Sequence, residues 1–212
     1  MKKGVAVLGL LLLVSAAGLY FFVFNKNKDE KTGNPGEQKA ADVVISKHSE
    51  AFNQSVESFM NAYYMMVEGF VKWDTAVVRK ESAAFKTELD NFKIDELKTD
   101  SLLYTDATRI WNAVKAETSA IVGDNELSEQ RGSLNIMSQA LYDLLNKIQY
   151  DKAKVYYQEC PMAFNDVQAG NWLSPQSAVR NPYLGTSHPK YHRGMLKCGG
   201  TKDSVNFVSA SN

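Results

Sequence analysis

Six residues in the last quarter of the 212-residue chain are of the kinds that ligate soft metal ions: Cys160, Met162, His188, His192, Met195 and Cys198. They include both cysteines and two of the three histidines of the protein. Cys160 and Met162 form a C-x-M pair, and Met195 and Cys198 an M-x-x-C pair; each can close on one ion from a single turn. Two thiolates with two thioethers select Cu(I) over harder divalent ions and leave Ag(I) or softly ligated Zn(II) as reasonable alternatives. A structural zinc more usually takes four Cys or His ligands. His188 and His192, four apart in S-H-P-K-Y-H, would add imidazoles and widen the choice to Cu(II) or Zn(II).

The same cysteines carry other readings. In an exported domain a Cys160–Cys198 disulfide would close a 38-residue step and stabilise a loop-rich segment. The thiols can also be reduced and inert. A bridge abolishes thiolate ligation, leaving no metal, so the disulfide and the metal site describe two redox states of one place. Catalysis has little support. The chain has no G-x-S-x-G, no phosphate-binding glycine loop and no H-E-x-x-H. A nucleophilic Cys198 with His188 or His192 as base can be drawn, but nothing in the spacing singles it out, and no enzyme is expected. The 24 Lys and Arg balance the 24 Asp and Glu, which removes the electrostatic case for nucleic acid.

What must hold these residues is helical. From about His48 to Ile148, mostly apolar residues recur at helical spacing along four stripes. The first is Phe52, Val56, Phe59, Tyr63, Met66 and Phe70. The second is Val78, Ser82, Phe85, Leu89 and Phe92, with Asp74 as its N-cap. The third is Leu103, Ala107, Ile110, Val114 and Ile121, stopped by Gly123 as C-cap. The fourth is Leu134, Met137, Leu141, Leu144 and Ile148, opened by Asp124 or Asn125. Narrow seams joined by short polar turns predict a mainly α chain, an antiparallel four-helix bundle over residues 46–149. Met65, Met66 and Met137 read as seam fillers, Trp73 and Trp111 as core or rim, and His48 as a solvated cap-region residue. After Tyr150 the period changes, and Pro and Gly punctuate a loop-rich segment with short strands over residues 150–200, packed on the bundle; residues 201–212 read as a tail.

Ahead of the bundle, residues 1–24 hold an uncharged apolar run of 21 residues, Gly4 to Phe24. As a helix it would reach about 32 Å, near the thickness of a bilayer core. Small residues at Val14–Gly18 offer a signal-peptide cleavage point, but cleavage there leaves Tyr20–Phe24 on a mature N-terminus. The favoured expectation is an uncleaved inner-membrane anchor that uses those aromatics as an interfacial belt, with the remainder periplasmic. Residues 25–45 are polar and read as a linker.

The ordered elements V-Y-Y-Q-E-C-P-M-A-F, W-L-S, R-N-P-Y-L-G and M-L-K-C-G resemble a bacterial exported domain of unknown function. That domain also occurs at the C-terminus of periplasmic adaptors of copper/silver efflux systems. The resemblance runs from Phe52 to Gly199 and takes in Y-x-x-M-V-E-G-F-V-x-W-D upstream. It implies a periplasmic helical domain that binds or hands over soft metal, with Cys160, Met162, Met195 and Cys198 as ligands and efflux components as partners. One departure stands out. T-S-H-P-K-Y-H-R-G separates Gly185 from Met195, where the family passes in two or three residues. The insertion either brings His188 and His192 to the site or pushes Met195 and Cys198 away. The competing expectation is a non-catalytic envelope module, pinned by a Cys160–Cys198 bridge, that docks through Trp172 and Tyr183.

Overall fold

The computed structural model describes residues 46–208. The apolar run and the linker therefore lie outside the described residues, and with them the anchor expectation. Among the described residues no helix is long and apolar enough to cross a membrane.

Four helices come first. Helix α1 (Glu50–Lys72) is opened by Ser49, whose hydroxyl accepts from the Phe52 amide at 3.1 Å. Its stripe from Phe52 to Phe70 is fully buried, residue for residue as the spacing predicts. The helix is closed by Trp73, left-handed at φ 60°, whose amide returns to the Gly69 and Phe70 carbonyls. Helix α2 (Thr75–Asp90) starts at Asp74, which accepts from the Val77 amide at 3.0 Å, the expected cap. A 3-10 helix (Ile94–Thr99) buries Ile94 and Leu97 and leads to α3 (Ser101–Gly123), capped by Asp100. Helix α4 (Leu127–Lys147) follows. α1 packs along α2 and α3 along α4, with α2 also against α3.

The turn between α3 and α4 departs from expectation. Gly123 is the last helical residue, and the C-cap is Asp124 in extended conformation. The cap of α4 is Glu126, with no side-chain hydrogen bond, in place of Asp124 or Asn125. The reason lies in Gln130. Its buried amide donates to the Ile121 carbonyl at 3.0 Å and the Asp124 carbonyl at 2.9 Å, satisfying helix-end acceptors that a left-handed glycine would otherwise release to a turn.

Three further expectations are corrected. Met65 is 55% exposed, whereas Met66 and Met137 are core. His48 is no solvated cap: it stacks on Phe52 at 4.3 Å, and its Nε2–H donates to the Ile148 carbonyl at 2.6 Å, joining the two ends of the helical region. Residues 201–205, expected as tail, continue a strand that begins at Gly200.

That strand, β3 (Gly200–Val205), completes an antiparallel sheet with β1 (Val155–Phe164) and β2 (Gln168–Ser174), in the order β2-β1-β3. The sheet leans on the helices through α4 and α1. Tyr63 of α1 joins α4 and β2. The Ser138 hydroxyl already donates to Leu134, so the Tyr63 hydroxyl donates to Ser138 at 2.7 Å and accepts the Leu173 amide of β2 at 3.0 Å. Burial pushes its phenol well above the ordinary value. Each buried aromatic or aliphatic side chain here contributes about 1.5–3 kcal/mol of burial free energy.

Candidate functional site: the Cys160–Cys198 junction

Cys160 ends the regular part of β1, paired opposite Gly170 of β2, and is completely buried. Pro161 follows. It has no amide to give a ladder, and the β1–β2 register shifts between Cys160 and Phe164. The proline of C-P-M therefore releases the strand immediately after the cysteine.

The chain comes back to this point through N-P-Y-L-G. Asn181, fully buried, accepts from the amides of Tyr183 at 2.8 Å and Leu184 at 2.9 Å, folding the turn. Its own amide donates to the Leu196 carbonyl at 2.9 Å, and its side-chain Nδ2 to the Cys198 carbonyl at 3.0 Å. One asparagine thus fixes both the turn and the segment carrying the second cysteine. Gly185 sits at φ +53° beneath Trp73, where a Cβ would lie 2.6 Å from the indole ring. Gly199 sits at φ +113°, where a Cβ would lie 3.1 Å from the Cys160 Cα and closer still to the Glu159 carbonyl. Only glycine lets the chain after Cys198 run this near β1.

The result is a Cys160–Cys198 disulfide spanning 38 residues, with Cα atoms 5.6 Å apart, within the usual range for such bridges. No cysteine of the chain is free. Met162 and Met195 are partly buried and pack against the core, as Cys198 does. A Lys202–Glu159 ion pair lies beside the junction, between β3 and β1. Thiolate ligation by this pair requires that the bond first be reduced.

The histidines take another course. His188 packs edge-on against Trp73 at 5.3 Å and stacks on Tyr191 at 5.0 Å. Its Nδ1 accepts the amides of Lys190 at 3.1 Å and Tyr191 at 3.2 Å. His192, at φ 49°, donates its amide to the His188 carbonyl at 2.8 Å. The insertion thus closes on itself as a turn anchored to α1. Among the described residues no group of three or more His, Cys, Asp and Glu converges, so neither histidine joins the cysteines in such a set. Of the nucleophile–base pair drawn from the sequence, Cys198 is bonded to Cys160, and His188 is engaged with Trp73 and Tyr191.

Trp172 and Tyr183 are each 1% exposed, which removes them as a docking surface. They face each other at 6.1 Å, and the Tyr183 hydroxyl donates to the Asn171 carbonyl. Gly170 makes room for that ring; a Cβ there would meet it at 2.8 Å. The residues that build the junction, Asn181, Gly170, Gly185 and Gly199, carry no chemistry of their own and are not legible as site residues from type alone. For Asn181, Gly185 and Gly199 the signal available was their place inside the N-P-Y-L-G and M-L-K-C-G elements; Gly170, two residues ahead of W-L-S, carried none.

No family model, no curated protein and no solved structure matches the chain.

Proposed function

We propose that the protein is a membrane-tethered periplasmic member of the exported-domain family it resembles, and that it binds one soft metal ion, Cu(I) first, as a buffer or chaperone linked to efflux. Cys160 and Cys198 are the ligands in the reduced state, and Met162 and Met195 supply thioethers. The four helices, arranged as an antiparallel bundle, act as the scaffold. The observation that carries this reading is the meeting of two cysteines 38 residues apart on backbones 5.6 Å from each other. Two metal–sulfur bonds of about 2.3 Å ask for sulfurs within about 4.6 Å, a separation that side-chain rotation on such backbones supplies. The complete burial of Cys160 also fits a cuprous dithiolate, because the ion's charge offsets the cost of a buried thiolate.

A second reading rests on the bond itself: a non-catalytic envelope module whose C-terminal segment is held by a permanent bridge. Thiol titration under denaturing conditions, on protein taken anaerobically from the native compartment, separates the two. Two titratable thiols and bound copper favour the metal reading. No thiol and no metal favour the permanent bridge.

A further inference from the structure

Arg131, in the second turn of α4, is only 6% exposed and has no carboxylate partner among the described residues. Its Nε–H donates to the Pro182 carbonyl at 3.0 Å and its Nη2 to the Phe70 carbonyl at 3.3 Å, while the guanidinium lies 3.9 Å over the Trp73 ring. Those contacts hold the group in place without neutralising it. Nη1 has no hydrogen-bond partner among the described residues and is not one of the fully enclosed unpaired polar atoms. Arg131 is itself one of the residues lining the cavity beside it. A buried cation without a counter-charge is costly, and an anion brought beside it offsets that cost.

The cavity, of about 540 Å³, lies between the start of α4, the β1–β2 turn and the insertion. Trp73, Phe164 and His188 give it aromatic walls, with the buried Tyr183 behind Phe164, and Asn135 and Gln168 add amides. Its size suits a small molecule, and this mixture of apolar walls with a few convergent polar groups is typical of ligand sites. The start of α4 adds its dipole to the positive field. Glu129 is the acidic residue on the lining; it is exposed, forms no ion pair with Arg131, and disfavours a polyanion. Burial pulls the Arg131 guanidinium down to about 9, which leaves it a cation at neutral pH.

We infer that this cavity is a second binding site, independent of the cysteine junction, for a small monocarboxylate with a flat apolar body. The carboxylate accepts a charge-assisted hydrogen bond from Arg131 Nη1, and the body lies along Phe164 beside the Arg131–Trp73 stack. The long insertion after Gly185 supplies the His188 wall.

Titration of the full chain with benzoate tests this, followed by the arginine Nε–H and tryptophan indole signals in nitrogen-resolved NMR. Benzamide, the neutral isostere, and inorganic phosphate serve as controls. The expected result is a saturable shift of the Arg131 and Trp73 signals with benzoate, and at least about tenfold weaker binding of benzamide and phosphate. Arg131→Gln should abolish the shift. Because that substitution also removes two structural hydrogen bonds, Gln168→Glu on the exposed rim provides the second variant, placing a like charge beside the carboxylate and weakening benzoate at least about tenfold. No saturable shift, equal binding of benzamide or phosphate, or unchanged affinity in Gln168→Glu overturns the proposal.

Discussion

Reducing the Cys160–Cys198 bond should lower the stability of the domain by an amount that follows from chain entropy. A 38-residue closure removes about 13 cal/mol/K from the unfolded ensemble, or about 4 kcal/mol at 25 °C. The folded state should lose little, because Cys160 stays enclosed as a small apolar group and Asn181 continues to hold the Cys198 carbonyl. For a domain of this size each kcal/mol shifts Tm by about 2–4 °C, so the melting point should fall by about 8–16 °C. The assay is a pair of thermal melts followed by circular dichroism, oxidised against reduced with a phosphine. The Cys160→Ala/Cys198→Ala variant should melt near the reduced protein and ignore the reductant. If oxidised and reduced protein melt within about 2 °C of each other, the entropic argument for what the bridge contributes is wrong.

Three other outcomes are expected. Tyr63→Phe removes the buried acceptor of the Leu173 amide and should cost about 1–3 kcal/mol in urea unfolding, with faster hydrogen exchange at Leu173; an unchanged exchange rate would count against the junction of α1, α4 and β2 at Tyr63. Gly185→Ala puts a methyl into Trp73 at positive φ and should destabilise by more than about 2 kcal/mol, whereas Gly132→Ala, with open space around it, should not. Burial holds His188 below its ordinary value; the Arg131, Lys190 and His192 charges add to the effect and Asp166 opposes it. Protonation therefore works against the folded state, so the stability contributed by neutral His188 is complete above about pH 6.5 and is lost as pH falls through the lower folded value. His188→Gln should flatten that part of the stability profile, and a titration midpoint for His188 at or above about 6.5 would refute the assignment.

The helices were legible because each stripe repeats at helical spacing, and burial follows those positions almost without exception. Met65 misleads because it adjoins Met66 in sequence but points off the seam. Gly123 and Asp124 misled for a different reason: the end of α3 is satisfied by Gln130 from the next helix, a contact that residue preference cannot reveal. T-K-D-S-V reads as a polar tail because its strand character comes from pairing with β1, not from its own composition. Trp172 and Tyr183 read as surface aromatics in a loop-rich stretch, yet strand β2 buries the first and the turn held by Asn181 the second. The sulfur residues were identifiable by type, and the choice between bridge and metal stayed open because type does not report distance.

Copper loading of the reduced protein bears on the whole functional reading. Protein reduced anaerobically and titrated with Cu(I) against a chromogenic chelator should hold one equivalent, and Cys198→Ser or Cys160→Ser should lose it. Failure of the reduced protein to compete for the ion, or full retention of affinity in both variants, would contradict the account and leave the bridge a structural clasp.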